Sequence, residues 1–270
     1  MAQLNLGVVG AAGRMGQSLV REIVGTEGVR LVAASEHENH PSLGLDVGVA
    51  SGLNSLKIEI TDNAREVFGL ADCVLEFSAP EASVMHAEIA AAEGVCHVIG
   101  TTGLEPKERD ALMSAASGTA IFWAANMSIG VNVLLGLAER AAAMLNDDFD
   151  IEILEMHHRH KVDAPSGTAL ALGNAVARGR NVDLDAVSQR ARDGMTGERC
   201  RGDIGFAVLR GGDVVGTHSV ILAGQNERLE LNHHATSRQI FATGAVRAGM
   251  WLYGKPAGLY GMQDMLGLSE

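Results

Sequence analysis

The residues best equipped for chemistry lie in one run, Glu155-Met156-His157-His158-Arg159-His160-Lys161-Val162-Asp163-Ala164-Pro165-Ser166-Gly167-Thr168. Five consecutive residues, His157 to Lys161, can carry positive charge in a chain of formal charge -12, a concentration that suits an anionic ligand. Pro165 sets a rigid turn and Ser166 a helix N-cap, so the amides of Gly167 and Thr168 are expected to face a carboxylate or phosphate. Lys161 adds a point charge there. A histidine beside it supplies a proton donor near neutral pH, as hydride transfer to an electron-poor C=C or C=N system requires. Three histidines in four residues also suggest a metal, but their spacing does not let ligands converge and no HExxH or distant Cys/His pair accompanies them. No metal is expected.

A second set of residues suits a dinucleotide. Gly10-Ala11-Ala12-Gly13-Arg14-Met15-Gly16 follows an apolar run and opens a helical pattern, where backbone amides approach a pyrophosphate and Arg14 can add charge. The loop departs from G-x-G-x-x-G because Ala12 takes the middle glycine position, and glycine also serves ordinary strand-to-helix turns. Glu36 ends the next strand-like run, where a carboxylate accepts hydrogen bonds from the adenosine ribose. His37 follows it. An imidazole is a weaker partner for a ribose 2′-phosphate than arginine and is mostly uncharged above pH ~6.5, so NADH is expected to serve at least as well as NADPH. Two further loops, Gly100-Thr101-Thr102-Gly103 and Ala124-Ala125-Asn126-Met127, end other strand-like runs and suit the nicotinamide ribose and carboxamide.

The elements that must position these residues read as α/β. Leu4 to Gly10, Val29 to Ser35, Ala71 to Ser78, Val95 to Thr101 and Ala120 to Ala125 are strand-like and alternate with helical stretches, as in a parallel sheet covered on both faces. After Asn126 a long helix leads into the strand DIEILEMHH, and a second helix starts near Ser166. The strands IGFAVLRGG, VVGTHSVILAG and ERLELNHHA then follow one another through glycine-containing turns, which predicts a partly antiparallel, mixed sheet in an α+β domain. The last residues, from about Ser237, read as helix and tail. The expected layout is a Rossmann-like, dinucleotide-binding domain of residues 1–128 and 239–270, and a substrate-binding and oligomerisation domain of residues 129–238.

The acidic balance opposes nucleic-acid and anionic-membrane partners, and no apolar run approaches the ~20 residues of a membrane span. Cys73, Cys96 and Cys200 form no CxxC pair, which fits a reducing cytoplasm, and none has the His or Asn/Asp company of a nucleophile. His86 and His97 read as structural, His233 and His234 as solvated, and Trp123 and Trp251 as core or interface. Arg238 suits either substrate binding or a brace. A dinucleotide-binding sensor without turnover, and another Rossmann dehydrogenase acting on an aspartate-derived acid, stay open on these residues alone.

Taken together, GAAGRMG, GTTG, AANMSIGVN, EMHHRHKVDAPSGTA and the closing GLYGMQDMLGL resemble the 4-hydroxy-tetrahydrodipicolinate reductase family over nearly the whole chain. The resemblance implies an NADH- or NADPH-dependent reductase of a cyclic dicarboxylate in lysine and diaminopimelate biosynthesis. It also implies homotetramers built through the second domain, and a hinge that closes over the ligand. It casts His157 as the catalytic proton donor or acceptor and Lys161 as a second donor, with His158, Gly167 and Thr168 on the substrate. Gly10, Ala11, Ala12, Gly13, Arg14, Met15, Glu36, Gly100, Thr101, Thr102 and Ala124 to Met127 are cast on the cofactor. His37 departs from the family's arginine, which puts NADPH use in doubt.

Overall fold

Short apolar runs become buried strands because both their faces are covered by helices. The computed structural model describes residues 3–268. The chain divides into one unit that runs to Ser128 and resumes at Gln239, and another that spans Ile129–Arg238.

In the first unit, β1 (Leu4–Val9), α1 (Arg14–Gly25), β2 (Val29–Ser35), α2 (Val47–Ala50), β3 (Ile60–Thr61), α3 (Ala64–Leu70), β4 (Cys73–Glu76), α4 (Pro80–Glu93), β5 (Cys96–Ile99), α5 (Pro106–Ala115) and β6 (Ala120–Trp123) follow in order. The second unit contributes α6 (Ile129–Leu145), β7 (Asp150–His157), α7 (Gly167–Gly179), α8 (Leu184–Val187), β8 (Ser188–Gln189), β9 (Ile204–Arg210), β10 (Gly216–Ala223) and β11 (Arg228–Ala235), with a single 3-10 turn before β7. The chain then returns to the first unit as α9 (Gln239–Leu252), β12 (Gly258–Tyr260) and α10 (Met262–Leu266).

The first unit holds a seven-stranded sheet in the order β12-β6-β5-β4-β1-β2-β3, with every pairing parallel. Leu6, Val8, Leu19, Ile23, Ala245 and Leu252 pack on one side, and Val9, Val67, Phe68 and Val74 on the other. β1 sits between β2 and β4, so strand order reverses there, which is where open α/β sheets bind ligands. The tail is more than helix. β12 pairs with β6, and three residues between glycine turns are too few for periodicity to reveal.

The second unit has a mixed five-stranded sheet, β11-β10-β7-β9-β8. β9 and β10 follow one another through a glycine turn yet do not pair, because β7 lies between them, parallel to β9 and antiparallel to β10. The connection from Gly211 to Val215 therefore arches over the end of β7. The His158 amide donates to Val214 O at 2.7 Å, Arg159 to Gly212 O at 3.2 Å, and Gly211 to His157 O at 3.0 Å. These bonds fix the backbone of the basic run. α6 and α7 cover one face of the sheet around Ile151, Ile153, Leu172, Val176, Val220 and Leu222.

Candidate active site

β7 buries alternate residues, so Ile151, Ile153, Glu155 and His157 share one face. The first two belong to the apolar core, and the last two turn the same face polar where the strand ends. Register sets His218 of β10 opposite Glu155, and Arg210 of β9 opposite His157.

Glu155 is 1% exposed. Arg210 donates to it through both terminal nitrogens, at 2.8 and 2.9 Å, and the Ser166 amide donates at 3.0 Å. Burial works to raise the Glu155 carboxyl, but Arg210, His157 and the Ser166 amide outweigh it and hold the group below its ordinary range. His157 Nδ1 lies 2.6 Å from the same carboxylate. An ionised carboxylate only accepts, so Nδ1 carries a hydrogen and Nε2 is the nitrogen left for proton exchange.

The turn through the cis Ala164–Pro165 bond delivers Ser166 to the start of α7. Its Oγ accepts from the Ala169 amide at 3.1 Å and lies 3.2 Å from His218 Nε2. His218 is pushed down to about 4, first by burial and then by neighbouring His157, and so is neutral. Its ring meets His157 edge-on at 5.1 Å. Gly167 and Thr168 form the first helical turn beyond this cap, where backbone amides favour an anion.

Lys161 is not a bare charge, because Nζ pairs with Asp163 Oδ1 at 2.9 Å; that bond is the leading cause of a lowered Asp163 carboxyl. His158 Nε2 lies 3.5 Å from Arg238 Nη2. Burial first, and Arg238 next, lower the His158 imidazole below its ordinary value. His157, His158, Lys161, Ser166, Gly167 and Thr168 are thus gathered around one end of β7. His233 is not solvated: its ring is half-buried against Gly130 of α6, whereas His234 is exposed.

The nucleotide candidates of the first unit gather along the C-terminal edge of its parallel sheet. A Cβ on Gly16 would lie 2.0 Å from Gly10 O, so only glycine lets α1 start so close to β1. Gly13 caps that helix without a side-chain bond, and Glu36 Oε1 accepts from the Ala12 and Gly13 amides at 2.9 and 3.2 Å. A Cβ on Gly100 would overlap the Phe77 ring at 2.2 Å. Ala11 and Met127 have buried side chains, which leaves only their backbones to contact a ligand, while Arg14 is exposed. Ala124 is held by its amide on Ile99 O at 3.2 Å, and Asn126 Oδ1 accepts from Ser128 N at 2.9 Å.

Among the described residues, Glu36, His37 and His40 are the group whose candidate metal-ligand atoms lie within 4.8 Å of one another. Glu36 is already engaged by the glycine loop, His37 Nδ1 lies 2.8 Å from Glu38 O, and His40 Nδ1 accepts from Ser42 N at 3.1 Å. The His40 bond leaves the hydrogen on Nε2, which suits a ribose or phosphate oxygen better than a cation.

Sequence reasoning gave Glu155 no role of its own and missed Arg210 and His218 in one unit, and Phe77 and Ser78 after β4 in the other. Glu155 was findable, since it stands two residues before His157 on a strand. His218 was findable too, on the face that alternates with Val220 and Leu222. Arg210 carries no local signal, because its partner lies 55 residues away.

Residues 4–127 match the model of the dihydrodipicolinate reductase N-terminus, and residues 130–266 that of its C-terminus. The chain is 54% identical over 267 residues to a 4-hydroxy-tetrahydrodipicolinate reductase of Brucella abortus (strain 2308), covering 98% of this chain and 100% of the relative. It is 50% identical to that of Dinoroseobacter shibae, covering 97% of each. In fold it is similar to a dipicolinate-bound dihydrodipicolinate reductase from Paenisporosarcina sp. TG-14, with a TM-score of 0.78 at 24% identity over 97% of this chain and 99% of the other. An aspartate semialdehyde dehydrogenase from Vibrio cholerae shares the fold more distantly, at a TM-score of 0.54 and 13% identity over 93% of this chain and 98% of the other. With residues 4–127 and 130–266 matched by the two family models, the chain belongs to the dihydrodipicolinate reductase family.

Proposed function

We propose that this protein reduces 4-hydroxy-2,3,4,5-tetrahydrodipicolinate to 2,3,4,5-tetrahydrodipicolinate, using NADH or NADPH, in lysine and diaminopimelate biosynthesis. The observation that carries the reading is the Glu155 carboxylate, which holds His157 by Nδ1 and the α7 start by the Ser166 amide. One buried anion thereby aligns a proton carrier with an anion cradle.

Loss of the 4-hydroxyl as water leaves a conjugated C4=C5–C6=N1 ring; hydride adds to C4 and a proton to the adjacent C5. Bound reduced nicotinamide supplies the hydride. His157 gives the proton from Nε2, and the ionised Glu155 at Nδ1 stabilises the imidazolium that precedes transfer. The Gly167 and Thr168 amides receive one ring carboxylate, and His158 and Lys161 attend the remaining polar groups.

The dinucleotide fits the first unit because the Gly10 to Gly16 turn leaves no room for a Cβ at Gly16 and α1 lacks a side-chain cap. Gly10 through Met15 would hold the pyrophosphate, Glu36 and His37 the adenosine ribose, and Gly100 through Thr102 with Ala124 through Met127 the nicotinamide half. With His37 in place of an arginine, NADH serves at least as well as NADPH.

The protein is assigned as a cytoplasmic homotetramer. Leu154, Met156, Ala207, Leu209 and Ile221 line the sheet face opposite the helices, and Leu209 is 49% exposed. No helix among the described residues is long and apolar enough to cross a membrane.

A coupled assay with dihydrodipicolinate synthase, pyruvate and aspartate semialdehyde tests the activity. Oxidation of the dinucleotide is expected only when all components are present. If NADH binds but is never oxidised, the sensor reading replaces this one.

A further inference from the structure

A second buried carboxylate lies in the first unit, outside the chemistry described above. Glu76 ends β4 with no exposed surface, and neither lysine nor arginine pairs with it. His97 Nε2 of β5 lies 2.8 Å from Oε2, and His86 Nδ1 of α4 lies 3.2 Å from Oε1. The Ser83 hydroxyl donates to Oε1 at 2.9 Å, and the Ser78 hydroxyl donates to the same oxygen. Glu76, Ser83 and His97 are each fully buried, and the edge of Phe68 closes over His97 at 5.3 Å.

A charge so placed costs free energy that an apolar side chain would not, and replacing buried ionic groups by apolar ones is often neutral or stabilising. What the carboxylate gains is reach. The Ser83 and Thr101 hydroxyls are 2.8 Å apart, and the Ser78 amide donates to Thr101 Oγ1 at 3.0 Å. Each hydroxyl has one hydrogen. The Ser83 hydrogen is shared between Glu76 Oε1 and Thr101 Oγ1, and Thr101 Oγ1 also accepts from the Ser78 amide. The chain of bonds therefore ties the segment after β4 to the Gly100–Thr102 loop after β5. Phe77, lying against Gly100, fills the space between them.

Building on the dinucleotide reading of this unit, we infer that Glu76, with His86, His97 and Ser83, is a positioning device for the nicotinamide half of the cofactor. It sets the Phe77–Ser78 and Gly100–Thr102 loops and has no part in the pyrophosphate turn at Gly10 to Gly16. The adenosine half is held elsewhere on the same edge, at Glu36.

The test compares NADH with ADP, which lacks the nicotinamide riboside, by binding titration on Glu76→Gln and the milder Ser83→Ala, with thermal unfolding recorded in parallel. Both variants are expected to lose roughly tenfold in NADH affinity, the worth of a charge-assisted bond, while ADP binds as in the unaltered protein. KM for NADH should rise by a similar factor. Equal losses for NADH and ADP, or no loss for either in a folded Ser83→Ala, overturn the inference. Should Glu76→Gln not fold, Ser83→Ala decides alone. Failure of the unaltered protein to bind NADH or ADP would instead remove the dinucleotide reading itself.

Discussion

Glu76 and Glu155 are both buried carboxylates at or near the end of a strand, yet their company differs. Glu155 is matched by a two-pronged arginine and touches one histidine whose side chain remains 11% exposed. Glu76 has only imidazoles and hydroxyls, and its His97 is 0% exposed. The contrast separates two uses of buried charge. A buried carboxylate can be offset by a cation, as at Glu155, or by surrounding hydroxyls and imidazoles, as at Glu76. His157 keeps an exchangeable nitrogen; His97 is sealed from solvent.

The sharpest way to break this comparison is His157→Gln. Loss of general acid catalysis should lower kcat by ~100- to 10,000-fold while NADH affinity stays unchanged. Unaltered turnover in steady-state kinetics would remove His157 from the chemistry and make the two sites alike.

Glu155→Gln comes next. It strands Arg210 and frees His157 to adopt either tautomer, so stability should fall by about 3 kcal/mol and kcat by at least roughly tenfold. Denaturant unfolding and initial rates together check this. If stability falls but kcat does not, Glu155 is a fold element and the distinction from Glu76 fails.

His218 sharpens the comparison through pH. Its folded value of about 4 lies below the ordinary ~6.5, so between those limits the unfolded chain binds a proton that the folded one does not. Its contribution is complete above pH ~6.5 and is lost as pH falls toward 4, a change on the order of 3 kcal/mol. The lowered Glu155 carboxyl acts in the same direction at more acid pH. His218→Gln, whose amide can still hydrogen-bond with Ser166, should flatten the stability profile over that window. An unchanged slope would mean His218 does not titrate there.

The smallest effect is expected at the far end of the first unit. His37→Arg should move the kcat/KM ratio about tenfold toward NADPH, because a guanidinium binds a 2′-phosphate in two-pronged fashion. The variant should leave the Glu76-dependent affinity for the nicotinamide half untouched.

Much of this was legible in the chain. The buried runs VLEF and HVIG announced a parallel sheet, and the HHRHK run together with Ser166 marked residues that gather at one end of β7. β12 was not legible, since Gly258–Tyr260 is shorter than any period. The separation of β9 from β10 was hidden as well: a glycine turn between two strands reads as a hairpin unless a third strand, far back in the chain, is known to insert. Arg238 could not be assigned from its neighbours, and only the fold sets it beside His158.

The sequence by itself determined which groups are available and the local frames that carry them, because helix caps, glycine turns and the two-residue period of a strand act within a few residues. Tertiary structure alone decided which buried carboxylate meets Arg210 and which meets His86 and His97. Those encounters join residues far apart along the chain, and their energy depends on burial and register that no local pattern encodes.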